Sequence, residues 1–294
     1  MADGNDDFES LRTWIGRRES SHDVVTAAPV MALAATLDHA APPCAQGDPL
    51  PPLWHWLYFL PIARRSQVGS DGHPMRGNFL PPVSLPRRMW AGSRLTFHRP
   101  VTIGERIQRN STIADVQQKR GRTGDLVFVV VRHEIHAGTA LAITEEQQIV
   151  YRAAAAAPVG STAPADERPA DWRRIVHPDP VLLFRYSALT FNGHRIHYDR
   201  PYATDEEGYP GLVVHGPLLA TLLLDALHAA QPGFAVGTFQ FRAQRPLFDT
   251  ADFVLAGKQA TDGAWSLRAL DMTGAVAMEA SVGAAGSDAA AGAV

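Results

Sequence analysis

The side chains best suited to acid–base chemistry are concentrated in one stretch of the chain, residues 184–218. This stretch contains His194, His197 and His215 among aromatic and other polar side chains. An imidazole titrates near neutral pH, so a positioned histidine can take a proton from water or deliver one to carbon. The last histidine precedes Gly216, where a long apolar run predicts a helix whose first N–H groups can polarise a carbonyl. The pattern therefore indicates proton transfer on a carbonyl substrate beside a helix N-terminus.

A metal site is one alternative for these histidines, because His194 and His197 lie three residues apart. Two histidines at that spacing can share a metal ion when they lie on a helix. Gly193 argues against a helix here, and no carboxylate or cysteine completes a ligand set. Cys44 is the single cysteine, which excludes a cysteine-based zinc cluster and an intrachain disulfide. We therefore predict no metal site, and we expect His215 to form hydrogen bonds beside the helix start.

Composition and charge restrict the class of protein. The 294 residues are 46% hydrophobic and 19% charged, and 27 basic against 30 acidic residues give a net charge of −3. This balance creates no field that attracts a polyanion, so nucleic acid is not expected as a partner. No apolar run reaches about 18 residues, and the acidic N-terminus lacks the basic and apolar regions of a signal peptide. We expect a cytoplasmic protein that does not bind a membrane.

A change in composition divides the chain into two pieces. Residues 153–170 are rich in alanine and proline and poor in large apolar side chains, which predicts a linker. The linker separates an N-terminal unit, residues 1–152, from a C-terminal unit, residues 171–285, and residues 286–294 form a frayed tail.

The two units show the same order of a helix followed by strands, which is typical of an α+β fold. An apolar run over residues 217–230 predicts a buried helix in the second unit, and residues 26–38 predict a helix in the first. The first unit then holds extra residues at about 41–82, whose aromatic run at 54–59 we expect to form a packing lid. The predicted strands are Ser93–Phe97, Arg106–Gln117, Asp125–Ile135 and Ala140–Tyr151, then Gly237–Gln244, Asp252–Gln259, Trp265–Asp271 and Ala275–Gly283.

The histidine-rich stretch resembles the MaoC-like, or (R)-specific, enoyl-CoA hydratase family, especially its branch of mesaconyl-C4-CoA and itaconyl-CoA hydratases. That family has an aromatic residue, a Gly-Asp-x-Asn-Pro-Ile-His segment, a Tyr/Phe-Ala pair and a His-Gly pair before a helix. The corresponding residues here are Tyr186, Leu189, the segment 191–197 (Phe-Asn-Gly-His-Arg-Ile-His), Tyr202-Ala203 and His215-Gly216. The resemblance implies a double hotdog, in which two antiparallel sheets each wrap around a buried helix.

The resemblance also implies a set of catalytic residues. His197 matches the catalytic histidine, and Gly216 would polarise the thioester carbonyl at the helix start. Asn192 departs from the family, which usually has an aspartate there that activates water together with the histidine. An amide cannot act as a base, although it can orient water. Either His197 is the sole base, or another group has moved in, or catalysis has been lost. Asp199 is the nearest carboxylate in sequence, and we predict that it caps the turn at 200–204.

The phosphates of CoA and the carboxylate of a dicarboxylic acyl group are negatively charged, so we expect basic side chains to bind the substrate. Arg195 stands where the family usually has proline, and we predict that it binds the acyl carboxylate. Arg242 flanks a predicted strand and can reach phosphates. Tyr186, His194 and His215 complete the predicted substrate-binding set.

The implied enzyme is a hydro-lyase that adds water to mesaconyl-C4-CoA or itaconyl-CoA and forms citramalyl-CoA. No cofactor is expected, since CoA is part of the substrate, and we expect a homo-oligomer. The alternatives are a 3-hydroxyacyl-thioester dehydratase of broader chain length, a thioesterase, and a non-catalytic acyl-CoA-binding module.

Overall fold

The computed structural model describes residues 8–121, 124–153 and 163–286, and its regular structure consists of ten strands and a few helices. The strands are β1 (Arg18–Val24), β2 (Arg87–Phe97), β3 (Arg106–Gly121), β4 (Gly124–Ala137), β5 (Ala140–Arg152), β6 (Trp172–Val176), β7 (Val236–Ala243), β8 (Phe253–Gln259), β9 (Trp265–Asp271) and β10 (Val276–Ala284). The helices are α1 (Phe8–Arg12), α2 (Ala27–Thr36), α3 (Pro180–Leu189) and α4 (Gly216–Ala230). Short 3₁₀ turns occupy Trp54–Leu57, Arg65–Gln67 and Arg195–His197, and a π turn occupies Tyr202–Glu206.

The strands form one antiparallel sheet in the order β1-β3-β4-β5-β2-β7-β10-β9-β8-β6. Outward from the centre, the first half runs β2, β5, β4, β3, β1 and the second runs β7, β10, β9, β8, β6. Each strand of the first half therefore has a counterpart in the second. Strands β2 and β7 pair with each other and join the halves. The α+β class and the repeated strand plan agree with the sequence prediction, but the two halves share one continuous sheet.

The counterpart of α2 within this repeat is α3 and not α4. Helix α2 follows β1 as α3 follows β6, and the two helices pack together. Residues 25–86 connect β1 to β2 and residues 177–235 connect β6 to β7, which makes 62 and 59 residues. These near-equal lengths leave no room for the extra residues predicted at 41–82. The sequence pairs α2 with α4 because β1 and β6 are short and mostly exposed, so hydrophobic alternation does not reveal these two strands.

The buried helix of the second half is α4. Nine of its 15 residues are buried, and it packs against β8, β9 and β2, as its leucine-rich sequence predicts. Six prolines between Pro42 and Pro61 prevent a comparable helix in the first half. There the aromatic run at 54–59 lies largely in the core. Within the described ranges, no helix is both long enough and apolar enough to cross a membrane.

Much of the predicted linker, residues 154–162, lies outside the described residues, as do residues 287–294 of the predicted tail. The division into units 1–152 and 171–285 stays a prediction. The main apolar core contains residues from both halves, so the halves pack together as well as sharing the sheet.

Candidate active site

Helix α3 delivers the chain into the segment 191–197, which we call the active loop. The Asp179 side chain caps α3 by accepting hydrogen bonds from two backbone N–H groups, and Pro180 occupies the first turn. After α3 ends, Phe191 adopts a left-handed conformation at φ 50°, which reverses the chain direction. Such a conformation costs a non-glycine residue about 1–2 kcal/mol. The Asn192 Oδ1 atom then accepts a hydrogen bond of 3.0 Å from the His194 backbone N–H and stabilises the loop.

His197 lies at the end of this loop with one ring nitrogen fixed. Its Nδ1 atom is 2.7 Å from the carbonyl oxygen of Val213. A carbonyl can only accept, so Nδ1 carries the hydrogen and Nε2 carries the lone pair. Burial lowers the pKa of His197 to about 4, and only 7% of the residue is exposed. His197 is therefore neutral at pH 7, in the form that can act as a base.

His215 and Tyr186 lie behind His197 and support it. The His215 ring stacks on the His197 ring at 3.7 Å between centroids, and its Nε2 atom is 2.8 Å from Ser187 Oγ. His215 is completely buried, and Tyr186 contacts its ring at 5.1 Å. Neither residue lines the adjacent cavity. His215 thus forms a hydrogen bond beside the helix start, and both side chains pack behind His197. The substrate-binding role predicted for His215 and Tyr186 stays a prediction.

Helix α4 begins at Gly216 directly after His215, and no side chain caps this end. Pro217 has no N–H, so Gly216 provides the first donor of the helix. A Cβ atom at Gly216 would lie 3.7 Å from the carbonyl oxygen of Trp90, which places this helix start against strand β2. Polarisation of a thioester carbonyl by Gly216 stays a prediction.

A loop of the first half, residues 69–74, packs directly on the active loop. A Cβ atom at Gly72 would lie 1.8 Å from the carbonyl oxygen of Gly193, so only glycine permits this approach. The Arg195 N–H donates a 2.9 Å hydrogen bond to the Asp71 carbonyl oxygen. The His73 ring lies 4.1 Å from the ring of His194. The site is therefore built from both halves of the chain.

Asp71 and His73 form a hydrogen-bonded pair within this loop. The Asp71 carboxylate accepts from the His73 backbone N–H at 3.0 Å and faces its Nδ1 at 3.1 Å. Burial alone would raise the pKa of Asp71, but the hydrogen bonds from His73 outweigh it and hold this pKa well below its usual range. Burial lowers the pKa of His73. Burial, together with the neighbouring His73 and His197, lowers that of His194 to about 2. Neutral His73 therefore presents a basic Nε2 atom, in the same manner as His197.

Asp71, His73 and His194 also satisfy the distance requirement for a shared metal ion. Their potential ligand atoms all lie within 4.8 Å of one another. Sequence reasoning found no carboxylate to complete such a set, because Asp71 and His73 lie about 120 residues before His194. The positive Arg88 side chain lowers the pKa of both histidines and opposes a second cation at this point. The prediction of no metal site stays a prediction.

A cavity of about 500 Å³ opens beside these residues. The first half contributes the 69–74 loop and the start of β2, and the second contributes His194 and part of the segment 202–209. Its charged and histidine lining residues are Asp71, His73, Arg76, Arg87, Arg88, His194, Glu206 and Glu207. His194 separates the cavity from His197, whose ring it meets edge to face at 5.4 Å. The cavity therefore ends at His194, which lies between it and His197.

The two predicted substrate-binding arginines lie elsewhere. Arg195 makes hydrogen bonds of 2.9 and 2.8 Å to the Asp199 carboxylate and one of 3.1 Å to the Ser70 carbonyl oxygen. Its positive charge is therefore already paired. Asp199 also accepts a hydrogen bond from the Tyr202 N–H, as predicted for a turn cap. Arg242 is exposed on β7 and does not line the cavity.

Sequence reasoning missed Asp71, His73 and Arg88 as site residues. The available signal was an Asp-Gly-His-Pro segment, in which two polar residues flank a glycine. The sequence predicts an insertion around this segment and gives no indication that the segment contacts the active loop.

Comparisons with known proteins agree with this geometry. The family model described as hydroxyacyl-thioester dehydratase type 2 matches residues 53–249. A mesaconyl-C(4)-CoA hydratase from Chloroflexus aurantiacus is 51% identical over 92% of this chain and 96% of its own. A mitochondrial hydroxyacyl-thioester dehydratase type 2 from Schizosaccharomyces pombe is 30% identical over 77% of this chain and 85% of its own.

Solved structures confirm the predicted fold. A MaoC-like dehydratase superposes with a TM-score of 0.68 at 16% identity, covering 94% of this chain and 99% of its own. A Mycobacterium tuberculosis protein described as a double hotdog superposes with a TM-score of 0.53 at 13% identity, covering 96% and 98%. The fold is therefore the double hotdog. The extent of the family match and the identity to the two relatives show that the chain belongs to the hydroxyacyl-thioester dehydratase type 2, or MaoC-like, family.

Proposed function

We propose that the protein is an acyl-CoA hydratase that adds water to the double bond of mesaconyl-C4-CoA and forms citramalyl-CoA. The identity of 51% to a mesaconyl-C(4)-CoA hydratase over nearly the whole chain supports this substrate class. The observation that carries the chemistry is His197, a buried neutral imidazole with its tautomer fixed by Val213. Itaconyl-CoA is a second substrate consistent with the same reaction.

The reaction follows from the polarity of the substrate. Conjugation with the thioester makes Cβ electrophilic, and the N–H of Gly216 would increase this effect by binding the thioester oxygen. His197 Nε2 takes a proton from water as the oxygen bonds to Cβ, and the resulting imidazolium delivers that proton to Cα. The hydrogen bond from Nδ1 to Val213 holds the imidazole in the orientation that this step requires.

Asn192 has a restricted part in this scheme. Its Oδ1 atom already accepts from the His194 N–H, so the amide NH₂ group points elsewhere. An NH₂ group can hold the oxygen of a water molecule but cannot remove its proton. The second proton-transfer group is His73, which Asp71 orients beside the His194 ring. In this proposal the pair takes the role that the aspartate has in the family.

The remaining properties are proposals from the sequence. The scheme needs no cofactor beyond the CoA of the substrate. A homo-oligomeric state and a cytoplasmic location stay predictions. A 3-hydroxyacyl-thioester dehydratase of broader range is the second candidate, favoured by the 30% identity to the yeast type 2 dehydratase.

A thioester assay tests the proposal and separates the alternatives. Purified protein is mixed with mesaconyl-C4-CoA or crotonyl-CoA while enoyl absorbance and free thiol are followed. Loss of absorbance without free thiol means hydration, and release of free thiol means thioester hydrolysis. Tight binding with neither change would refute the enzyme and leave a binding module. Activity confined to crotonyl-CoA and longer enoyl thioesters would favour the broader dehydratase.

A further inference from the structure

Three arginines line the cavity, and two of them are already engaged by protein groups. Arg76 donates to the backbone carbonyls of residues 83, 85 and 86. Arg87 forms an ion pair of 3.1 Å with Glu207 and also donates to its carbonyl oxygen. Arg88 differs, because no carboxylate of the described residues is in ion-pair contact with it. The cavity thus contains one guanidinium without an acidic partner.

Arg88 also lies next to two histidines of the candidate site. Its positive charge acts on both His73 and His194, which places it on their side of the cavity. Arg88 projects from the start of β2, and its partner on β5 is Tyr151. The residue is only partly exposed, so its charge is incompletely hydrated, and its neighbour Tyr151 offers it a neutral phenol and not a carboxylate.

The substrate class requires a cation at this place. In a mesaconyl-C4-CoA-like thioester, the free carboxylate is attached to Cβ, the carbon that receives the hydroxyl group. The group that binds this carboxylate must therefore lie beside the groups that activate water. A guanidinium binds a carboxylate through two parallel hydrogen bonds and fixes its orientation. Arg195 is less suited to this task, because its guanidinium is already paired with the Asp199 carboxylate.

We propose that Arg88 binds the free carboxylate of the enoyl thioester and thereby selects dicarboxylic acyl groups. The assignment rests on the proposed hydratase function and adds the residue that determines its substrate class. Asp71 does not compete for Arg88, because His73 engages both of its carboxylate oxygens. Asn192 fits the same scheme, because a neutral amide in the active loop does not repel the substrate carboxylate.

The experiment compares kcat/KM for mesaconyl-C4-CoA and crotonyl-CoA, which lacks the carboxylate, in wild type, Arg88→Met and Arg88→Lys. Arg94→Met is the matched control, because Arg94 lies on the same strand with its side chain 56% exposed. We expect Arg88→Met to lower kcat/KM for mesaconyl-C4-CoA by about 10- to 100-fold, the value of hydrogen bonds to a charged group. The value for crotonyl-CoA should change less than about threefold, and Arg88→Lys should give an intermediate loss.

The outcomes distinguish the role of Arg88 from the hydratase function on which it rests. Equal losses on both thioesters, or no loss on either, would refute the role of Arg88 while the wild-type activity still upholds the hydratase. Wild-type protein that hydrates neither thioester would refute the proposed function and the Arg88 assignment with it. Arg88→Lys keeps the charge and most of the packing, so it tests the proposal even where Arg88→Met lowers the melting temperature.

Discussion

Gly72→Ala tests whether the loop at 69–74 must sit on the active loop for the enzyme to work. The new Cβ atom would lie 1.8 Å from the Gly193 carbonyl oxygen, about 1.6 Å short of the 3.4 Å at which contact becomes ordinary. Both partners at this contact are backbone, so a side-chain rotation cannot relieve it. The two loops must separate by a comparable distance, which moves His73 away from His194.

Two effects contribute to the loss expected for Gly72→Ala: the strain of alanine at a positive φ and the displacement of His73. Gly72 has φ +89°, so alanine costs about 1–2 kcal/mol there even without the clash. Misplacing a reacting group by about 1 Å can cost about 100-fold in rate. We therefore expect kcat/KM for mesaconyl-C4-CoA to fall by about 100-fold in Gly72→Ala.

Gly47→Ala is the matched control. Gly47 has φ +90°, and a Cβ atom there would meet nothing within 4 Å. This variant carries the conformational cost alone, so its melting temperature should fall by about 2–8 °C with little change in activity. The assay is loss of enoyl absorbance, with a thermal melt for each variant. Gly72→Ala with kcat/KM within threefold of Gly47→Ala would show that the loop contact is not needed for catalysis.

Three further predictions concern the active loop and the buried histidines. His197→Ala should lower kcat by about 10²–10⁴ with little change in melting temperature, and a variant that keeps half the activity would exclude His197 as the base. Asn192→Ala should lower kcat more than substrate affinity. Asn192→Asp should harm mesaconyl-C4-CoA more than crotonyl-CoA, because like charges about 4 Å apart repel by about 4 kcal/mol at an effective dielectric near 20; equal losses would contradict this. Burial lowers the pKa of His133 and His197 to about 4, so between pH 6.5 and 4 the unfolded chain binds protons there that the folded chain does not. The free energy of unfolding should therefore decrease as the pH is lowered, by up to about 1.4 kcal/mol per pH unit for each histidine. Equal urea midpoints at pH 7 and 5 would refute this.

The elements that depend on local patterns were predictable from the sequence. The leucine-rich run specifies α4 because it can only be buried, and alternating residues specify β3 to β5 and β8 to β10. The active loop was also recognisable, since His197 and Gly216 belong to one contiguous stretch that ends at a helix start. Helix α3, which leads into that stretch, was not predicted, because its mixed polar and apolar sequence has no clear periodicity.

Tertiary structure alone decided which distant residues complete the site. Asp71 and His73 reach His194 because two glycine-containing loops touch backbone to backbone, and sequence spacing holds no record of that contact. The same holds for the arginines. Local sequence shows Arg195 inside the active loop and Arg88 far from it, but packing pairs Arg195 with Asp199 and leaves Arg88 facing the cavity. Which charge is neutralised depends on three-dimensional neighbours, so the sequence identified the reaction while the fold determined where its substrate can bind.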